Sequence, residues 1–422
     1  MWRDISNIHL RNQECGLSCE DVSVMWHPSR TFYLHHLLNG LAFGVTATVY
    51  SLFLLEIGAN YQQLLIVNMA FWGTVVIMEL PTGMLADGKS RAWSVKIGSV
   101  LTAVSTAVYM LAQNVSGAIL AEFILGIGFA FISGALQAWL ADSLKRRGEF
   151  TYLRKTFATG AMIRAIAILF GGLLGSYVAD TAGLRAGMIL SFTFHTACAI
   201  ATLWFMTGEG EPEERVSELE AFRRSWRLLF THPALGWAMA ASVLLGVVAL
   251  WNMYWSVFFL PRVGQVGLGW IWVALYGAVT IAGFAVRRMK ATGGQEEIGL
   301  LISVGVTGAG FLFAGFFQSL PLLVLALMVH EAGRGAFDPL LDSFTHHHVD
   351  SSHRATYASF QSLLSRFGYV IALGAGAYLT SQTSDSESTI QSMWLISGWL
   401  LLAVTAILFL LRPRHAVTTH RR

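Results

Sequence analysis

Residues 79–91 read Glu79-Leu-Pro-Thr-Gly-Met-Leu-Ala-Asp-Gly-Lys-Ser-Arg91, and they connect two long apolar segments. The stretch places a proline, two glycines and four charged residues where one membrane span would end and the next begin. Charges and helix breakers at a membrane boundary are costly unless they are buried in protein or face water. The stretch therefore predicts a short polar loop between two transmembrane helices.

The composition indicates a polytopic membrane protein. Of 422 residues, 55% are hydrophobic and only 13% are charged, whereas soluble domains carry about 25% charged residues. The net charge of +3 gives no sign of nucleic-acid binding. Residues 1–29 are mixed and polar, so no signal peptide is predicted. The three cysteines do not indicate a disulfide framework.

Twelve segments are long and apolar enough to cross a bilayer, which takes about 20 residues each. They lie near residues 31–55, 62–86, 93–113, 117–141, 156–179, 185–207, 233–260, 266–288, 298–318, 320–344, 355–380 and 390–411. One hydrophilic stretch separates six spans from six. Its apolar residues recur every three or four positions, which predicts an amphipathic helix along the membrane surface. These residues are Val216, Leu219, Phe222, Trp226 and Leu229.

This pattern predicts five parts in the chain and one orientation. The parts are an N-terminal tail (1–30), a six-helix half (31–207), a linker (208–232), a second six-helix half (233–411) and a basic tail (412–422). With both termini on the cytoplasmic side, 23 of the 28 lysines and arginines face the cytoplasm, and only Arg185 and Arg262 fall on outer loops. The positive-inside rule favours this arrangement, in the cell inner (plasma) membrane.

The opening loop resembles the G-x-L-x-D-x-x-x-R motif of the major facilitator superfamily, which follows the second of twelve spans. The matching residues are Gly83, Leu85, Asp87 and Arg91. The resemblance implies an all-α membrane protein with twelve transmembrane helices in two six-helix pseudo-symmetric halves, working by alternating access. It assigns a gating role to Gly83, Asp87 and Arg91, with Asp142 at the end of span four as the acid that Arg91 can reach.

The likeness is nearest to bacterial drug/proton antiporters, because Glu-x-Pro-Thr-Gly leads into the loop. The loop departs from the family at Ser90, where a glycine is usual, and at Gly88, where a basic residue is usual. These departures predict a weaker cytoplasmic lock. In span four the family often shows R-x-x-x-G-x-G, and here Glu122 replaces the arginine while Gly126 and Gly128 match. A buried carboxyl group can carry a proton.

Ionisable residues inside the spans are functional candidates, because each is costly there unless paired or hydrated. Arg164, Arg334 and Arg366 favour a substrate that bears an anionic group. The same arginines could instead be neutralised within the protein, as Arg334 would be by Glu331 or Asp338. For proton coupling, Glu122 is the first candidate, and Glu331 with its neighbour His330 is the second.

Polar and aromatic residues in the spans suit a broad cavity for an amphiphilic organic molecule. The candidates for substrate binding, besides the three arginines, are Asn39, Asn252, Tyr254, Trp272, Tyr276 and Gln361. The run His346 to His348, with His353, fits a hydrated loop better than a metal site, because neighbouring histidines do not easily converge on one ion. No cofactor and no metal are predicted.

The sequence predicts a secondary active transporter that moves a small organic molecule, anionic or amphiphilic, by alternating access with proton-coupled efflux. Uptake or facilitated diffusion of an organic anion is the alternative, and a non-transporting receptor or assembly subunit is a further one. No nucleophile-and-base pair is visible in the spans, so we do not expect an enzyme. The expected partners are the substrate, protons and the lipid bilayer, but no nucleic acid, and we expect a monomer.

Overall fold

The computed structural model describes residues 27–88, 90–207, 218–288, 295–349 and 354–413, and all regular structure in these ranges is helical. Spans one to six are Pro28–Glu56, Tyr61–Gly88, Arg91–Leu111, Val115–Ile132 with Ala135–Arg146, Leu153–Ala182 and Leu184–Phe205. A linker helix, Glu218–Thr231, follows. Spans seven and eight lie in Pro233–Leu244, Leu245–Val247 and Val248–Arg288. Spans nine to twelve are Gln295–Phe316, Leu320–His348, Arg354–Thr380 and Glu387–Leu410.

Spans seven and eight form one helical stretch that a kink divides. Within the described residues, eleven helical segments are long and apolar enough to cross a membrane, and one of them, Pro233–Arg288, has 56 residues. At about 1.5 Å per residue it would extend about 84 Å, far beyond a hydrocarbon core of about 30 Å. Gly264 breaks it with a φ of 68° and a ψ of 176°, three residues after Pro261. The stretch therefore makes two crossings, and the predicted twelve spans are confirmed.

Span four contains a break that the sequence did not predict. Its two helices end and begin around Ser133 and Gly134, and Gly134 has a φ of 74°. Such a backbone angle favours glycine because it has no Cβ. The first helix carries Glu122, and the second carries Asp142. The interruption lies inside the predicted range 117–141, which contains four glycines and gives no sign of which of them interrupts the helix.

The two halves meet along spans two and eleven and along spans five and eight. At one end of the bundle, the Tyr254 hydroxyl donates to the Tyr61 carbonyl at 3.1 Å, and the Tyr61 backbone N–H donates to Asp385 at 3.2 Å. The end of the bundle that carries Asp142 and the linker helix is called the basic side. The end that carries Tyr61 and Asp385 is called the opposite side. The linker helix packs at the basic side through Trp226, whose ring lies 6.1 Å from that of Phe360.

Glycines allow spans one and five to pack closely. A Cβ placed on Gly44 would lie 2.2 Å from the Ile168 carbonyl oxygen and 2.8 Å from the Gly172 backbone nitrogen. Both neighbours are backbone atoms, so neither can move aside like a flexible side chain. Small residues at such positions let helix backbones approach in a membrane.

Gly44→Ala is therefore expected to destabilise the protein by about 1–3 kcal/mol, because the added methyl group overpacks the contact between spans one and five. The measurement is the thermal unfolding of purified protein by intrinsic tryptophan fluorescence. Gly73→Ala is the matched control, because a Cβ there meets no atom of the described chain within 4 Å. Equal unfolding temperatures for the two variants would contradict the prediction.

Candidate functional site

The predicted pairing of Arg91 with Asp142 is confirmed, since an ion pair joins them. Arg91 begins span three and Asp142 lies in the second helix of span four, so the pair lies within one half. Ser90, which replaces the family glycine, caps span three by accepting a hydrogen bond from the Trp93 backbone N–H at 3.0 Å. Gly83 is half-buried in span two. The side chain of Asp87 lies outside the described residues, and the gating role of Gly83, Asp87, Arg91 and Asp142 stays a prediction.

A second ion pair joins the two halves within the membrane-spanning region. Arg366 of span eleven pairs with Glu79 of span two, and it also donates to the Ser133 hydroxyl at 3.1 Å. That hydroxyl lies 3.4 Å from the second carboxyl oxygen of Glu79. The three residues therefore connect spans two, four and eleven. The sequence predicts Arg366 as a substrate residue, but it gives no sign of the pairing with Glu79, because the two residues are 287 positions apart.

Glu122 lies in a compact polar cluster inside the N-terminal half. It is 2% exposed. Its Oε1 accepts hydrogen bonds from the hydroxyl groups of Tyr50 in span one and Tyr109 in span three, the latter at 2.7 Å. Its Oε2 has no hydrogen-bond partner within the described chain. Both donors are neutral phenols, so no cation in the described part of the molecule compensates a charge on Glu122. Sequence reasoning did not find the two tyrosines, because they lie 72 and 13 residues away.

Glu331 lies in the corresponding cluster of the C-terminal half but has a cationic partner. It is 4% exposed, and its Oε2 accepts two hydrogen bonds from Arg334, at 2.8 and 2.5 Å. Its Oε1 accepts one from the Trp251 indole N–H at 2.8 Å. His330 is fully buried, with its Nδ1 3.1 Å from the Thr307 carbonyl oxygen. The sequence left Glu331 and Asp338 as alternative partners of Arg334, and the ion pair in the structure is with Glu331.

Arg164 is exposed on span five, and it faces the interior of the bundle. The lipid-facing direction is marked by exposed large apolar side chains two, six and thirteen positions away, which point in roughly the opposite direction at about 3.6 residues per turn. These are Met162, Ile166, Phe170 and Tyr177. Arg164 has no hydrogen bond or ion pair with any residue of the described chain. It interacts electrostatically with His36 of span one and Tyr276 of span eight.

Three aromatic rings form a stack on the C-terminal half next to span five. The ring of Trp272 lies 5.5 Å from that of Trp255 and 5.3 Å from that of Tyr276, with interplanar angles of 27° and 20°. The Trp272 indole N–H donates to the Ile168 carbonyl oxygen at 3.2 Å, one turn from Arg164. The stack and Arg164 therefore lie at the same level between the halves.

The remaining predicted substrate residues differ in burial. Asn39 is half-buried in span one, and Asn252 is exposed in span seven. Tyr254 is fully buried and donates to the Tyr61 carbonyl. Gln361 is buried and accepts a hydrogen bond from Thr345 at 2.7 Å. The last two therefore hold helices together in this structure.

The histidines at the end of span ten have separate partners. His347 Nδ1 lies 2.9 Å from Glu296, whereas the ring of His348 stacks on Phe344 with centroids 4.1 Å apart. His353 lies outside the described residues. His347 and His348 therefore point to different partners.

His232, which precedes span seven, lies near His348. Partial burial, the larger cause, and the neighbouring His348, the smaller one, lower the pKa of His232 below its ordinary value.

Comparisons with known proteins agree with this architecture. Among solved structures, a mutant of the nucleoside transporter NupG has a TM-score of 0.76 at 15% identity, covering 92% of this chain and 100% of that one. The POT family transporter PepTSo has a TM-score of 0.70 at 11% identity, covering 91% and 97%. At these identities the likeness concerns the fold alone.

The sequence comparisons identify the family. The chain is 28% identical over 179 residues to the Multidrug resistance protein MdtG of Dickeya zeae (strain Ech586), a match that covers 41% of this chain and 43% of that protein. This chain thus spans less than half of that relative's length. The family model of the Major Facilitator Superfamily matches residues 32–292 and 296–422. The protein therefore belongs to the major facilitator superfamily and is a membrane transporter rather than an enzyme.

Proposed function

We propose that this protein exports a small organic molecule in exchange for protons by alternating access. The partial likeness to a multidrug resistance protein supports export of an amphiphilic compound. We further propose that the basic side faces the cytoplasm of a cell whose inner membrane holds the protein, because 23 of 28 lysines and arginines follow the positive-inside rule. We also propose that the protein is a monomer.

The single observation that supports proton coupling is the environment of Glu122. A carboxylate buried in a membrane protein is unfavourable when no cation compensates it. A proton on Glu122 removes that charge while Tyr50 and Tyr109 keep the side chain in place. Because the two tyrosines belong to spans one and three, gain or loss of the proton changes the forces among three helices.

Glu331 is less suited to this task because its charge already has a partner. Arg334 donates two hydrogen bonds to it, and Trp251 donates a third. A proton on Glu331 would remove the ion-pair partner of the Arg334 guanidinium. We therefore assign proton coupling to Glu122 and a structural ion pair to Glu331 and Arg334.

The experiment uses inside-out vesicles with an acidic interior and a pH-sensitive dye. A panel of amphiphilic compounds is added, and collapse of the pH gradient reports the exchange of compound for protons. Glu122→Gln is expected to abolish this collapse, because glutamine keeps the shape of the side chain but carries no exchangeable proton. Exchange of labelled compound for unlabelled compound should continue.

Glu56→Gln is the matched control. Glu56 is an exposed carboxylate at the end of span one, and its replacement should leave the response unchanged. A Glu122→Gln protein that still collapses the gradient at the normal rate would refute the assignment. If transport by the wild type and by Glu122→Gln does not depend on the pH gradient, the result would favour the second candidate, facilitated diffusion or uptake of an organic anion. Arg164, which has no acidic partner among the described residues, is compatible with an anionic substrate in either case.

A further inference from the structure

The three intramembrane arginines differ in how their charges are compensated. Arg334 is paired with Glu331, and Arg366 is paired with Glu79. Arg164 alone among these three has no acidic partner in the described chain. One positive charge is therefore available between the two halves.

The surroundings of Arg164 make an anion the fitting ligand. Among the described residues, His35 and His36 of span one and Tyr276 of span eight interact with it electrostatically. None of these side chains is an anion at neutral pH. A guanidinium within a membrane span is strongly disfavoured unless water or a counter-ion reaches it. Because its side chain is exposed and faces away from lipid, Arg164 is open to a ligand from the space between the halves.

An aromatic surface lies beside this charge. Tyr276 ends the stack that begins with Trp255 and Trp272, and its ring is half-buried. The contact of Trp272 with the Ile168 carbonyl holds the stack one helical turn from Arg164. A further ring can therefore extend the stack over Tyr276 while remaining within reach of the guanidinium.

We infer that Arg164 and Tyr276 form a recognition site for a flat aromatic molecule that carries one negative charge, such as an arylcarboxylate. The guanidinium would donate two hydrogen bonds to the carboxylate, and the ring of the ligand would stack on Tyr276. Of the three intramembrane arginines, Arg164 alone lacks an acidic partner among the described residues, and its one positive charge matches a single negative charge. This inference rests on the proposed transport function and names the class of its substrate.

The test is isothermal titration calorimetry on the full-length protein in lipid nanodiscs with three probes. These are 1-naphthoate, its neutral isostere 1-naphthamide, and the non-aromatic anion cyclohexanecarboxylate. We expect 1-naphthoate to bind about tenfold more tightly than either of the others, since it alone can use both the ion pair and the stack. Arg164→Gln should remove the difference between 1-naphthoate and 1-naphthamide. Tyr276→Ala should remove the difference between 1-naphthoate and cyclohexanecarboxylate.

Two further variants control for net charge and for folding. Arg262→Gln removes one positive charge at the opposite side, where Arg262 pairs with Glu387, and should leave the order of affinities unchanged. Arg164→Lys keeps the charge and should retain part of the preference for the anion. Equal binding of the three probes, no binding, or a preference that survives Arg164→Gln would each overturn the inference. The response of Glu122→Gln to a pH gradient is measured separately, so failure here leaves the test of proton exchange intact.

Discussion

Replacing Arg334 with glutamine is expected to lower the free energy of unfolding by about 3 kcal/mol, because Glu331 then stays buried without a counter-charge. Breaking a buried ion pair from one side costs about 3–5 kcal/mol. The lower end applies here because the Arg334 side chain is 31% exposed and water partly replaces it. The indole N–H of Trp251 is the donor that remains to Glu331, and it carries no charge.

A double-mutant cycle measures this pair. Thermal unfolding is followed by tryptophan fluorescence for Arg334→Gln, Glu331→Gln and the double variant. The double variant should unfold at a higher temperature than Arg334→Gln alone, because it buries no unpaired charge. Arg164→Gln is the control, since Arg164 has no ion pair with any described residue and its replacement should not lower the unfolding temperature. Equal unfolding temperatures for Arg334→Gln and the wild type would contradict the prediction.

Replacing Glu79 with glutamine is expected to separate the two halves at the basic side in a larger fraction of molecules. The Glu79–Arg366 ion pair crosses between the halves, and both side chains are largely buried. Hydrogen bonds to charged groups contribute about 1.5–3 kcal/mol, so its loss should change the ratio of the two populations about tenfold or more. The measurement is the distance distribution between spin labels at Arg147 and Arg287, in a background without native cysteines.

The Arg91–Asp142 pair provides a sharp control for this experiment. It lies within one half, so Asp142→Asn should change the distance between the halves much less than Glu79→Gln does. Exchanging the charges with Glu79→Arg and Arg366→Glu together should restore the original distribution. If Asp142→Asn and Glu79→Gln shift the distances equally, the Glu79–Arg366 pair does not hold the halves together.

The fold could be predicted from sequence because membrane spans are set by length and composition. Each span needs about 20 apolar residues, and the loop from Glu79 to Arg91 identifies the family. The break at Gly134 could not be predicted in this way. A glycine within an apolar run is compatible with a continuous helix, and the backbone angle that interrupts the run depends on the packing around it.

The candidate site was only partly visible in the sequence. The sequence identified the intramembrane charges, since any ionisable residue in a span is conspicuous. It did not show which charges cancel, because the partners are 3 residues apart for Glu331 and Arg334 but 287 apart for Glu79 and Arg366. Pairing at the longer separation depends on how the two halves face each other. Arg164 became distinctive only when the other two arginines were seen to have acids of their own.

The interruption of span four has a mechanical consequence. Glu122 lies on the first helix of span four and Asp142 on the second, and Gly134 lies at the break between the two helices. In a continuous helix, a change of tilt at Glu122 would also move the Arg91–Asp142 pair. Because span four is interrupted, its two helices can change their tilt independently. At this break, the Ser133 hydroxyl accepts a hydrogen bond from Arg366 of the other half. A change in the angle between the two helices is therefore expected to displace Ser133 relative to Arg366 and so to act on span eleven.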